Sequence, residues 1–405
     1  MSIAIDQPLL DHHCHGVVRR DLDRTGFELL LTEAGSVGPL GCGVFDSQIG
    51  FAVRRWCAPE LGLEPHAAPD DYLERRAELG FADVTEKFAR AAGLAALCVD
   101  TGFEPEPLFS PAELGSAAGA PGHEIVRLEQ VAEQVARESV RGGTVAGFAD
   151  AVRVRLAERA RTAVGCKSVA AYRVGLDLAG RRPTEAEVAA AAGRWLAQIA
   201  ADGSDAGGET DTVTTAPVRL ADETLHRFLI WCGVDLRLPV QFHVGYGDAD
   251  VDLDRCDPLL LTRLLRAIEP TGVPVLLLHN YPFHRHAGFL AQVFSNVFLD
   301  VGLATHNLGR GSRAIIAEAL ELAPFGKMLY SSDAFGLPEL YYLGALLFRR
   351  GLDAFLRSGV AEDEWTAADA DRVARMIAAD NARRVYRLDG ESRTARVTPA
   401  ARVTP

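Results

Sequence analysis

The chain offers little to a disulfide framework. Its seven cysteines are scattered singly, and none belongs to a Cys-x-x-Cys pair. That odd, unpatterned count argues against a disulfide scaffold and a structural zinc knuckle, and it suits a reducing compartment. Positive charge is also scarce: 42 Lys and Arg stand against 55 Asp and Glu, a net charge of −13. That balance argues against a nucleic-acid or anionic-membrane surface. No apolar run reaches about 18 residues, so no transmembrane helix is expected. The N-terminus lacks a basic segment followed by an apolar stretch, so no signal peptide is expected. These absences predict a cytoplasmic protein with a small-molecule partner, no nucleic acid and no membrane. A homodimer would be the commonest assembly.

What is present is enough for a large core or two domains: 405 residues, 48% apolar and 24% charged. Short apolar runs alternate with helical stretches, the pattern of βα units and a parallel sheet. Strand ends are predicted at Leu9–His15, Ala95–Asp100, Glu124–Glu129, Gly165–Ala170, Leu238–His243, Val273–His279, Val297–Val301 and Lys327–Asp333. Eight units predict an α/β fold, a (β/α)8 barrel with reactive groups at the C-terminal strand ends. A long stretch from about Val17 to Lys87 follows the first strand, rich in Gly35, Gly38, Gly41 and Gly43, with a helix-like segment around Phe45–Trp56. Ordered insertions at that end of a barrel act as lids or substrate walls. Ala201–Thr215 reads as a solvated loop without chemistry. The expected domain is 1–390, with a disordered polar tail at 391–405.

The first strand carries the densest chemistry, Asp11-His12-His13-Cys14-His15. Residues two apart on a strand share a face, so His13 and His15 project together while His12 and Cys14 point away as packing residues. Two imidazoles so placed can grip one metal ion. His243 and His279 each end an apolar run, and an imidazole buried there needs a partner. Asp333 ends another such run, as a helix cap, a metal ligand or a general base. Lys167 sits where the fourth strand ends; it is read three ways, as a carbamylated bridge between two metals, as an ammonium holding substrate, or as a side chain reaching solvent. Arg127 and Glu129 are predicted to share a face of strand three, and Arg173 follows Tyr172 beyond strand four. Guanidiniums there suit an anionic substrate or rim ion pairs. His284, His286 and His306 fall in loops or early helix and read as surface or supporting histidines.

Taken together, His13-x-His15, His243, His279 and Asp333 are spaced as in the amidohydrolase superfamily, which this chain resembles. The local sequences sharpen the likeness: Lys167-Ser168-Val169-Ala170-Ala171-Tyr172-Arg173, Gln241-Phe242-His243-Val244-Gly245-Tyr246-Gly247-Asp248, Leu278-His279-Asn280-Tyr281-Pro282-Phe283 and Ser331-Ser332-Asp333-Ala334-Phe335-Gly336-Leu337-Pro338-Glu339. They resemble the FluG/nodulin-type amidohydrolase-2 domain, often fused to a glutamine synthetase domain. The likeness runs from Leu9 to about Leu388, and the expectation is a stand-alone version. It implies a distorted TIM barrel with the 17–87 stretch as a long helical insertion. It also implies a divalent metal, most often zinc, as one or two ions on His13, His15, His243, Asp333 and Lys167. The implied reaction is hydrolysis of an amide or related C–N bond, with γ-glutamyl amides suggested by the fusion partner. The superfamily also contains decarboxylases and isomerases. In the hydrolytic reading Asp333 is the general base, and His279 binds a second metal or polarises the scissile carbonyl. Arg127, Glu129, Tyr172, Arg173 and Glu339 contact the substrate.

Overall fold

Seven strands, each beside its neighbour in sequence, form the centre of the molecule in a computed structural model. It describes residues 3–36, 42–143, 147–204 and 218–389. Gly38, Gly41 and the predicted tail at 391–405 lie outside those residues. So does most of the predicted loop at 201–215, whose first residues instead complete the helix Glu185–Ser204.

The strands are β1 (Leu9–Cys14), β2 (Leu94–Asp100), β3 (Gly122–Arg127), β4 (Gly165–Ser168), β5 (Val240–Val244), β6 (Val275–His279) and β7 (Val297–Leu299). Every adjacent pair is parallel. Helices fill every connection, as parallel pairing requires. β5 and β6 are buried at every position, which is why they read as near-continuous apolar runs. One apolar cluster lies between sheet and helices. A smaller one gathers Leu10, Ile125, Leu276, Leu278 and Leu329 with Tyr386, from the helix Asn381–Tyr386.

The predicted eighth strand is not a ladder strand. Only an isolated bridge joins Met328 to Leu299. The segment is nevertheless tied on both sides: Leu329 N–H donates to Leu299 of β7, and Tyr330 accepts from His12 N–H of β1. Beyond it, Asp333 N–H donates to the His13 carbonyl at 3.0 Å.

β3 also stops earlier than predicted, at Arg127. Leu128 opens the helix Leu128–Arg141, in which Leu128, Val131, Ala132, Val135 and Ala136 are buried. That spacing is helical, and it carries Glu129 off the strand face. Between β1 and β2 run short helical turns over 44–60 and the helix Pro69–Ala91, interrupted at Gly80, where φ is +78°. Among the described residues no helix is long and apolar enough to cross a membrane.

Candidate metal and substrate site

Lone-pair accounting begins with Gln241. Its amide nitrogen donates to the His12 carbonyl at 2.9 Å and to Tyr386 Oη at 2.7 Å. A carbonyl can only accept, so the Gln241 amide orientation is fixed and Oε1 faces His13 Nδ1 at 2.9 Å. His13 therefore carries its proton on Nδ1 and aims an Nε2 lone pair forward. That lone pair meets Lys167 Nζ at 2.9 Å and Asp333 Oδ1 at 3.0 Å. The β3–β4–β5 register places Arg127, Lys167 and Gln241 in one row across the sheet.

His15, His243 and His279 close around the same point. Ring centroids of His13 and His15 are 5.2 Å apart, and those of His243 and His279 4.7 Å. His279 Nδ1 lies 3.3 Å from Asp333 Oδ2 and His15 Nε2 3.4 Å from Asp333 Oδ1. These approaches are close but poorly aligned. Neither His279 ring nitrogen makes a hydrogen bond, nor do His15 Nδ1, His243 Nε2 and Asp333 Oδ1, all buried. Buried polar atoms are almost always paired. So many unpaired lone pairs converging on a carboxylate are what a divalent cation would satisfy, and nitrogen with carboxylate oxygen is the donor set of zinc and its neighbours. Within 4.8 Å, His13, His279 and Asp333 form one potential cation group, and His13, His15 and Asp100 a second.

The backbone is bent to make this convergence. His279, Asn280 and Asp333 have φ of 69°, 60° and 51°, a region disfavoured for non-glycine residues and concentrated at functional sites. Simple alternation would point His279 with Val275 and Leu277 into the outer core; its left-handed backbone instead accompanies a side chain turned to the site. Asn280 Nδ2 holds the turn through the Leu277 and Asp300 carbonyls. Gly247 is required by close approach: a Cβ there would lie 2.3 Å from Tyr172 Oη and 3.0 Å from His243 Nε2.

Burial works against a charge on each of His13, His243, His279 and Asp333. Burial, then Lys167, lowers His13 to about 4 and His243 to about 3. Burial also drives His279 well below its ordinary value. For Asp333 burial pushes upward, but His279, His13 and His15 outweigh it and hold the carboxyl well below the usual range. Burial depresses Lys167, against the attraction of Asp100 and Asp333.

Above the cluster opens a cavity of ≈ 230 Å³. Of the residues expected from sequence, His15, Lys167, His243, Asp333, Arg127, Tyr172 and Arg173 line it, with His13 and His279 buried beneath. Two expected substrate contacts do not reach it. Glu129 Oε1 accepts from Ser168 Oγ, Val169 N–H and the His226 ring, so that oxygen joins helices to β4. Glu339 is fully buried against Arg76 Nε at 2.8 Å and Tyr72 Oη at 2.9 Å, tying the helix Pro338–Ala361 to Pro69–Ala91. Of the remaining histidines, His284 and His306 are buried rather than on the surface. His284 pairs with Glu318, and the partly exposed His286 with Asp257.

Sequence reasoning gave no role to Asp100 or Glu33. Asp100 ends β2, holds Arg127 through Nη2 at 2.6 Å and lies 3.6 Å from Lys167 Nζ. Burial pushes its carboxyl up, but Arg127 and Lys167 hold it far below the usual range. A carboxylate ending an apolar strand was the available signal. Glu33, from the stretch after β1, enters the cavity wall, and burial, then Asp333 and Asp248, push it up to about 7.

Known proteins share parts of this sequence and its fold. The family model described as amidohydrolase matches residues 64–388, which hold Lys167, His243, His279 and Asp333 and begin downstream of His13 and His15. Protein fluG of Emericella nidulans is 31% identical over 286 residues, 65% of this chain and 32% of that protein, so the match spans about a third of its length. A crystal structure described as a "putative metal-dependent hydrolase" from Lactobacillus casei is 29% identical, with a TM-score of 0.78, covering 96% of this chain and 98% of that one. The uronate isomerase of Thermotoga maritima shares the fold, with a TM-score of 0.62 at 13% identity over 95% of each chain. The chain belongs to the amidohydrolase family.

Proposed function

We propose that this protein is a metal-dependent hydrolase cleaving the C–N bond of a small amide that carries a carboxylate. The observation that carries this reading is the set of unpaired buried donors on His15, His243, His279 and Asp333 beneath a cavity lined by Arg127, Arg173 and Arg219. His13, His15, His243, His279 and Asp333 would hold the ion, with zinc the best match to the donors. A bound divalent ion supplies Lewis acidity, acidifying water and polarising a carbonyl.

The protein's own groups account for the rest. Asp333, held ionised, accepts a proton as water oxygen attacks the carbonyl carbon. It then delivers that proton to the leaving nitrogen as the C–N bond breaks, giving an acid and an amine. Gln241 fixes the His13 tautomer, so Nε2 is available as a donor atom. That lone pair cannot serve both Lys167 and a cation. A cation there would leave Lys167 free, and its lowered pKa favours the neutral amine that could add CO2 and lose a proton to become a carbamate ligand for a second ion. Arg173, 3.3 Å from Glu133, and Arg219, 2.7 Å from Asp250, border the cavity with guanidiniums that a substrate carboxylate could share. Arg127 is committed to Asp100 and shapes the wall between them. The 17–87 stretch forms part of the wall through Glu33 and is read as a cover that excludes water.

The same three arginines beside the cluster suit a second reading, a decarboxylase of the superfamily. A screen of the metal-reconstituted protein against γ-glutamyl amides, N-acyl amino acids and aromatic carboxylates, reading both amine and CO2, tests both. Amine release supports hydrolysis, CO2 without amine supports decarboxylation, and neither product from any class contradicts both.

A further inference from the structure

A second cavity of ≈ 810 Å³ lies between the helical turns after β1 and the start of the helix Ser312–Ala319. It shares no lining residue with the His–Asp site. Its charge opposes that of the chain. Arg55, Arg310, Arg313 and Arg350 line it, and no aspartate or glutamate does, although acids outnumber bases 55 to 42 overall.

Some exposed arginines are neutralised locally, as in Arg285 with Glu321 and Arg182 with Asp235. None of these four forms an ion pair with a described residue. Instead two of them crowd one indole: the Arg55 and Arg350 guanidiniums lie 4.3 Å and 4.7 Å from the Trp56 ring. Cation–π contact at a partly exposed ring is a weak substitute for counter-charge. Burial, then the repulsion of Arg313 and Arg55, lowers the Arg350 pKa. Clustered cations without counter-charge cost stability unless an anion joins them.

Gly309-Arg310-Gly311 leads directly into Ser312, and the first turn of that helix lines the cavity. The N–H groups of this lead-in are already engaged, Arg310 with Gln48 Oε1 at 3.2 Å and Gly311 with the Leu308 carbonyl at 2.8 Å, so the guanidiniums carry the attraction. Guanidinium forks match phosphate oxygens bidentately.

We propose that this cavity binds a phosphorylated small molecule carrying at least two phosphate groups. Four guanidiniums exceed what one phosphate can neutralise, and the concave shape fits a compact ligand better than an extended chain.

The test titrates sodium pyrophosphate into the metal-loaded full chain, by calorimetry and by Trp56 fluorescence. Saturable binding at one equivalent with a Kd of about 1–100 μM is expected, weakening as salt rises. Arg313→Ala with Arg350→Ala should weaken it at least about tenfold, with basal hydrolysis unchanged. Should that pair fail to fold, the exposed Arg310→Glu gives the same comparison. Trp56→Phe should abolish the fluorescence change while calorimetric binding persists. No saturable heat overturns the proposal. So does undiminished binding in the arginine variants, which would place pyrophosphate on the metal. Equal affinity for citrate would assign the cavity to polycarboxylates instead. Loss of an oligomer in the arginine variants, without pyrophosphate binding, would make this face an interface between copies.

Discussion

His12 and His279 are both fully buried beside Asp300 and yet play opposite parts. Both ring nitrogens of His12 are engaged, Nδ1 with Tyr386 Oη at 3.0 Å and Nε2 with Asp300 Oδ2 at 2.9 Å. Neither ring nitrogen of His279 is engaged, although its backbone N–H donates to the same aspartate at 2.8 Å. A satisfied buried imidazole is part of the scaffold. An unsatisfied one carries a desolvation cost that folding alone does not repay, and it marks where something else must bind.

The sharpest way to break the comparison is Asp333→Asn. It should lower kcat by at least about 10³-fold, since it removes the proton acceptor, while metal content measured by atomic emission stays near wild type. Near-normal turnover would contradict the general-base role. The two histidines give the next test. His12→Ala should destabilise the fold by about 2–3 kcal/mol in urea titration, because it strips a partner from buried Asp300, with metal content kept. His279→Ala should do the reverse, losing metal while the stability of the metal-free protein is unchanged or raised.

Gln241→Leu leaves His13 Nδ1 without its acceptor and should weaken metal binding about 10–100-fold, read by competition with a chelating dye. Arg173→Met should raise KM about tenfold with kcat little changed, the mark of a group that binds ground and transition state alike. A fall in kcat alone would move Arg173 into the chemistry.

The smallest effect concerns a carboxylate outside the cavity. The Glu129 carboxyl feels burial pushing up, but His226 and Ser168 outweigh it, so its folded-state pKa is lowered. Its contribution is therefore present above the unfolded value and lost as pH falls through the folded one. Glu129→Gln should cost about 1–2 kcal/mol at pH 7. The difference should shrink toward zero on acidification, followed by thermal unfolding across pH 7 to 3.

Much of the site was legible because strand ends announce themselves: His243, His279 and Asp333 each interrupt an apolar run, and His13-x-His15 follows one. The parallel order of the first seven strands was legible for the same reason. Partnership was not. Glu129 and Glu339 carry the same side chain as Glu33, yet only Glu33 faces the cavity, and what separates them is the position of Arg76, His226 and Ser168 in space. Asp100 stood at a predicted strand end, but its nearness to His13 and Lys167 comes from sheet curvature, which no local pattern encodes. The eighth segment looked like a strand because it is apolar. It bridges β7 and β1 without forming a continuous ladder, and the left-handed Asp333 ends it.

Metal content decides most directly whether the unpaired cluster is a cation site. Protein reconstituted with Zn²⁺, desalted and analysed by plasma mass spectrometry should retain about one to two equivalents, and the His13→Ala/His15→Ala variant almost none. Retention below about half an equivalent in the unaltered protein, whichever divalent ion is supplied, would contradict it.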